Sequence, residues 1–342
     1  MIRYAILLAG LCFIHACAPA PAPAPLIELT GRTMGTTYSI RYAGPAERQE
    51  RDHAGIDSLL AAVNQSLSTY IPTSTISRLN SSNDTSAPFP IDAHFRRVFV
   101  ASRSIYEATN GAFNPAVGPL VEAWGFGPER RQSMSREHVD SLLALVRFDA
   151  FQLTPDSLHV RKAIPNAHLD FSAIAKGYGV DEVGRYLDAR GVTSYFVEIG
   201  GEVVVRGRHP AGRPWRVGID RPEEDAAERT LQTVVLLEDA GMATSGNYRN
   251  FYVLDGQKYA HTIDPTTGYP ARSTLLSATI VAADCMTADG YATAAMVMGD
   301  SALAFLESRN ELEGYLVTAG ADTAFVEHMT SGFAPLIAPN AP

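Results

Sequence analysis

Helical periodicity and strand alternation occupy different parts of this chain, and no linker separates them. Ile56, Leu59, Leu60, Val63 and Leu67 repeat at helical spacing and predict an amphipathic helix over 49–68. Phe95, Val98, Phe99, Ile105 and Tyr106 do the same for 94–109, which Asn110-Gly111 terminates. A shorter helix is expected over 136–146 and a fourth over 174–190, the latter ending at Gly191. Before them, 26–42 alternates as a strand does, with Gly35 interrupting it. Beyond Gly191 strands dominate. Residues 195–199 and 203–206 predict a hairpin about Gly200-Gly201, followed by strands at 215–219, 230–236, 248–254, 259–263 and 275–281. Helices are expected again at 289–298 and 302–312, and strands at 313–318 and 323–328. Helices grouped early and strands grouped late imply a single α+β domain over 30–328, mostly antiparallel in its second half, with 329–342 left as a tail.

The composition is globular, with 46% hydrophobic and 19% charged residues in a chain of 342. A net charge of −9 without any basic run argues against a nucleic-acid partner, whose phosphates need Lys and Arg. An anionic ligand would need a local cation or a metal. Met1-Ile-Arg3 is a short positive segment, and residues 4–14 are apolar but too few to span a bilayer as a helix. They run into Ile14-His15-Ala16-Cys17, which resembles a bacterial lipobox. The expectation is a signal peptide over 1–16 and lipid on Cys17, with cleavage at a neighbouring Ala as the alternative. Residues 17–29 then form a Pro/Ala spacer that lifts the domain off a membrane. That describes an exported bacterial lipoprotein facing the periplasm, with inner or outer membrane left open. Cys285 would be the only unmodified thiol of the exported chain, so no internal disulfide holds it and a buried, inert Cys285 is expected.

Several stretches carry more chemistry than packing requires. In His261-Thr-Ile-Asp264-Pro-Thr-Thr-Gly268-Tyr-Pro270, Pro265 fixes φ and keeps Asp264 out of the helical region. A stiff turn bearing His261 and Asp264 suits groups that meet a ligand in one pose; an Asx-type turn closing a hairpin is the plainer alternative. Asp289 and Thr293 stand at i and i+4, so both oxygens lie on one helix face and suit a hard cation such as Mg²⁺. The alternative is a first-turn carboxylate on the helix dipole beside a Thr that bonds its own backbone. Asp170-Phe-Ser172 opens a helix with Ser172 as its expected cap, a place where free N–H groups bind phosphate. Lys176 adds charge there, and Gly177 and Gly179 permit close approach, although a capped helix with an exposed Lys would look alike. In Gly111-Ala-Phe-Asn-Pro115, Phe113 and Asn114 offer an aromatic face and an amide to a planar ring.

Taken in order, Thr33-Met34-Gly35-Thr-Thr, Gly111 to Pro115, Leu169 to Tyr178, Thr244-Ser245-Gly246, His261 to Pro270 and Ala288 to Thr293 resemble the FAD:protein FMN transferase (ApbE) family. The likeness covers 30–317. It implies an enzyme that binds FAD with Mg²⁺ and attaches FMN to a Thr hydroxyl of a partner protein, releasing AMP. It further implies FAD contacts at Met34, Tyr70, Ala112, Phe113, Asn114, Asp170, Lys176 and His261, and a metal held by Asp289, Thr293 and the Ala173 carbonyl. Many relatives carry Asp where Asn114 stands. Implied acceptors are subunits of membrane redox complexes, such as the Na⁺-translocating NADH:quinone oxidoreductase, with a Thr-containing flavinylation motif. Such a hydroxyl needs a base, and His261, oriented by Asp264, is the expected one. Two rivals share the pocket: a Mg²⁺-dependent FAD pyrophosphatase, and a lipid-anchored flavin store without catalysis.

Overall fold

A computed structural model of the chain describes residues 25–128, 131–223, 230–247, 251–254, 257–321, 324–339 and 341. The expected leader, Cys17 and most of the spacer lie outside the described residues. No described helix is long and apolar enough to cross a membrane.

The chain enters as a hairpin, β1 (Leu26–Thr33) and β2 (Thr36–Ala43), and continues into α1 (Gln49–Leu67) and α2 (Thr75–Ser81). A short strand β3 (Phe89–Pro90) precedes α3 (Ala93–Ala108), α4 (Gly118–Ala123) and α5 (Arg136–Leu143). Then come β4 (Phe151–Leu153), β5 (His159–Lys162), α6 (Ala175–Asp188), β6 (Tyr195–Ile199) and β7 (Glu202–Arg206). The ribbon β8 (Trp215–Asp220) and β9 (Leu231–Leu237) is followed by β10 (Ala240–Gly246), β11 (Phe251–Leu254) and β12 (Gln257–Ala260). The described chain ends with β13 (Leu275–Ala282), α7 (Cys285–Met298), α8 (Ala302–Glu307), β14 (Glu313–Ala319) and β15 (Phe325–Met329).

Eight strands form one sheet in the order β1-β2-β6-β7-β10-β13-β14-β15, and every neighbouring pair is antiparallel. Both faces of its central strands are buried. Alternate side chains leave a strand on opposite faces. Ala243, Ala278, Ile280 and Leu316 therefore join the main core with α1, α3, α6 and α7. Met242, Val281, Tyr315 and Val317 join a second core under the β8–β9 ribbon. The expected hairpin turns at Gly200 and Gly201, whose φ of 63° and 106° a side chain would resist, and Ile199 pairs with Glu202.

The structure departs from the sequence expectations where packing overrides pattern. The helix carrying Asp289 starts at Cys285, so Asp289 is not in its first turn. Asp284 caps it by accepting from the Thr287 N–H at 2.8 Å. The Asp181 oxygens accept from the Cys285 and Met286 N–H groups at 3.0 and 2.9 Å. Ser172 caps nothing: Ile174 stands at the N-cap of α6, without a side-chain cap. The helix expected over 302–312 stops at Glu307. Strand β10 escapes periodicity because Gly241 must be small; a Cβ there would lie 2.2 Å from the Cys285 nitrogen. Helices α2 and α4 and the three-stranded β3-β5-β4 sheet are too short to show a period.

The segment read from sequence as a tail packs on the second core. Phe333 is fully buried and stacks on Tyr315 with ring centroids 5.4 Å apart. The Ala338 N–H donates to the Val234 carbonyl at 2.8 Å, and Ile337 bridges to Val235. Replacing Phe333 with Ala should cost about 3–5 kcal/mol of stability, read by urea unfolding, from lost burial plus a cavity. A cost under about 0.5 kcal/mol, the size of a surface substitution, would mean the segment does not belong to the core.

Candidate functional site

A cleft of about 1540 Å³ opens where the β1–β2 turn, the start of α6, the face of α7 and the 261–265 turn meet. Met34, Tyr70, Ala112, Phe113, Asn114, Asp170, Ala173, Lys176, His261, Asp289 and Thr293 all line it, although they come from distant parts of the chain. Asp264 is not among the lining residues, while its neighbours Ile263 and Pro265 are.

The floor is built by α6 lying against α7. A Cβ on Gly177 would sit 2.4 Å from the Cys285 carbonyl oxygen and 2.9 Å from the Asp289 Cβ. The Gly177 N–H donates to Asp289 Oδ2 at 3.0 Å, which fixes the carboxylate at the cleft. One turn on, Thr293 Oγ1 lies 3.3 Å from Ser245 Oγ of β10. Gly177 thus serves the packing of α6 on α7. Gly179 leaves room for the β1–β2 turn, since its Cβ would come 2.8 Å from the Met34 Cε. Met34 itself takes a left-handed backbone at φ 48°, uncommon for a side chain of its size.

Lys176 reaches the cleft beside Asp289 and donates to Glu202 Oε1 behind it. Burial opposes the charge on Lys176, but Asp289 and Glu202 outweigh it, so the ammonium holds its proton above the ordinary lysine range. Burial pushes the Glu202 carboxyl up; Lys176 opposes this and Asp289 adds to it. Glu202 is 2% exposed, and its Oε2 is buried without a hydrogen-bond partner. Sequence reasoning passed over this residue, yet a signal existed. Val203 and Val205 face the second core, so alternation sends Glu202 to the helix side, where an acid stands out.

Asp170 is set by its neighbours. Its N–H donates to the Pro115 carbonyl at 2.7 Å, and Asp170 Oδ1 accepts from the Ser172 N–H at 2.8 Å. Burial raises the Asp170 carboxyl above the usual range and the Ser172 bonds pull it back. Immediately before it, the Asn80 amide grips both the N–H and the carbonyl of Leu169 at 2.8 Å. Lys162, also buried, donates to the Asn80 and Ser82 carbonyls at 3.1 and 2.8 Å, and burial lowers its ammonium to about 8. Neither residue carried a motif. Phe113 is 2% exposed, and Asn114 Oδ1 accepts from the Ala116 N–H at 2.9 Å, so this amide shapes its own turn.

The 261–270 segment is as stiff as its prolines suggest. The Asp264 N–H donates to the Tyr269 carbonyl and the Gly268 N–H to the Asp264 carbonyl, at 2.9 and 2.8 Å. Gly268 has φ 77°, and its carbonyl accepts from the Trp124 indole at 2.9 Å. The Asp264 carboxylate accepts from the Thr266 N–H at 2.8 Å and the Thr267 hydroxyl at 3.0 Å. Both of its oxygens therefore serve the Asx-type turn. The half-buried His261 ring stands edge-on to Phe126, 6.4 Å between centroids.

Among the described residues no group of three or more His, Cys, Asp or Glu converges to hold a metal ion. The donors that α7 and β10 bring to the cleft are one carboxylate and hydroxyls, from Asp289, Thr293 and Ser245, an oxygen set that suits a hard cation completed by ligand oxygens.

The family model described as "ApbE family" matches residues 34–316. A FAD:protein FMN transferase of Vibrio cholerae is 38% identical, covering 98% of this chain and 99% of its own length. One of Haemophilus influenzae is 37% identical over 91% of each chain. Among solved structures, the flavin transferase ApbE from Vibrio cholerae superposes with a TM-score of 0.82 at 37% identity, over 92% of this chain and 100% of that one. The apo form of the flavinyl transferase ApbE from Pseudomonas stutzeri gives 0.81 at 34% identity, over 92% and 98%.

The α6–α7 contact makes a ranked prediction. Gly177→Ala should lower stability by about 1–3 kcal/mol, because its Cβ meets backbone on a rigid helix. Gly290→Ala should cost less, since its nearest neighbour is the end of a side chain, Ile105 Cδ1 at 2.6 Å, rather than backbone. Urea unfolding of both variants checks the order, and equal costs would contradict a backbone-limited contact.

Proposed function

The chain belongs to the ApbE family, and from that membership we propose that it is a Mg²⁺-dependent FAD:protein FMN transferase acting on a Thr hydroxyl. The observation that carries this reading is convergence: motifs spread from Met34 to Thr293 line one cleft. In the proposed reaction the Thr oxygen attacks the FMN phosphorus, its bond to the AMP oxygen breaks, and a ring nitrogen of His261 takes the hydroxyl proton. Met34 and Tyr70 present a polarizable and an aromatic surface to the flavin. Tyr70 is 63% exposed, which leaves its ring available at the rim. Lys176 holds the pyrophosphate by charge. Asp289, Thr293 and the Ala173 carbonyl would hold Mg²⁺, whose charge offsets that of the departing AMP.

The lipid anchor on Cys17, the periplasmic location and an acceptor within a membrane redox complex extend the same reading. The anchor and the location rest on Ile14-His15-Ala16-Cys17 and the spacer that follows it, and the acceptor rests on the family resemblance alone.

Protein lacking the residues before Ala18, given FAD, Mg²⁺ and an acceptor with the flavinylation motif, should place FMN on the acceptor Thr, read by mass spectrometry. Asp289→Ala and His261→Ala should each slow labelling by roughly 100-fold or more. AMP and free FMN without labelled acceptor would identify a pyrophosphatase, and no AMP at all a flavin store. If His261→Ala labels at the full rate, its role as base fails.

A further inference from the structure

Glu202 belongs to none of the motifs above, yet it sits in the cleft wall where a carboxylate is hard to keep. It is nine-tenths and more buried, its Oε1 holds Lys176, and its Oε2 has no partner. A buried carboxylate oxygen without a donor destabilises the fold, and an apolar residue would pack there at lower cost. The pair is also asymmetric. Lys176 keeps 31% of its side-chain surface toward the cleft, while Glu202 behind it keeps 3%. A ligand in the cleft would therefore meet the ammonium and feel the carboxylate through it. Asp289 lies within the same charge group, since both Lys176 and Glu202 respond to it. Lys176, Glu202 and Asp289 together carry a net charge of about −1 when all three are ionised.

We propose that Glu202 is a positioning residue that sets the charge of the cleft floor, favouring a divalent cation at Asp289 and restraining Lys176 so that anions bind well only with that cation. The proposal rests on the reading of Asp289 as a cation ligand and Lys176 as a phosphate contact. Its physics is additive. With Glu202 neutral the three groups sum to zero instead of −1, so the floor attracts a cation less and repels an anion less. A purely structural role would weaken both kinds of binding alike.

Glu202→Gln keeps the shape and an oxygen to accept from Lys176, and removes only the charge. Calorimetric titration at low ionic strength should show Mg²⁺ binding weakened roughly tenfold and metal-free ADP binding tightened several-fold. Lys176→Gln should do the reverse for the cation, tightening Mg²⁺ by a similar factor. Should Glu202→Gln fail to fold by near-UV circular dichroism, the Lys176→Gln result decides alone. Equal or same-direction changes in Mg²⁺ and ADP for Glu202→Gln, or unchanged Mg²⁺ binding in Lys176→Gln, would overturn the proposal. A wild-type protein that binds neither probe would instead remove the Mg²⁺–nucleotide reading on which it stands.

Discussion

The closeness of α6 to α7 at Gly177 governs this molecule. A single methyl group there would strike the Cys285 carbonyl, and the glycine amide that the gap exposes is the donor that holds Asp289. The same close packing recurs on the other side of α7, where Gly241 of the central strand β10 meets its first turn. Helix α7 is thus pressed between α6 and the sheet, and its residues Ala288, Ala292, Ala294 and Ala295 are almost wholly buried. Small residues allow the backbones to approach, and the approach decides where the carboxylate and hydroxyl of α7 meet the cleft.

Burial on that scale sets the electrostatics. Asp289 and Glu202 lie in the cleft wall of a protein whose net charge is already −9, and Lys176 pairs with Glu202 and feels the charge of Asp289. Water cannot screen these charges well, so each one changes what the others bind. A buried pair of this kind is a poor device for stability. Its presence in the wall of the cleft is easier to understand as tuning of a ligand site.

Much of this was legible in the sequence, for identifiable reasons. Residues such as Ile56, Leu60 and Val63 point into the core at regular spacing, so the long helices announce themselves. The Gly200-Gly201 turn is read from backbone chemistry alone. What periodicity could not deliver are the features set by a neighbour in space. The start of α7 is fixed by Asp181, a hundred residues earlier in the chain, and β10 carries a glycine because α7 leans on it. Asn80 and Lys162 shape the Asp170 loop from outside any motif. Asp264 looked chemical and turned out to spend both oxygens on its own turn.

That last case separates two ways in which a residue can matter to a site. Prolines and an Asx-type turn make 261–270 rigid, and rigidity is what places His261 at the cleft. Asp264 acts on the histidine by fixing the loop that carries it, with Trp124 gripping the far end through Gly268. Asn80 does the equivalent for Asp170, holding the preceding residue by both of its backbone groups. In each case a polar side chain is spent on backbone rather than on ligand. Lys176, Asp289 and Thr293 stand on helices, but Asp170 and His261 reach the cleft on loops, and loops hold a pose only when their own amides and carbonyls are satisfied. The motif residues therefore line the cleft, and the less conspicuous polar residues around them fix the loops that carry Asp170 and His261.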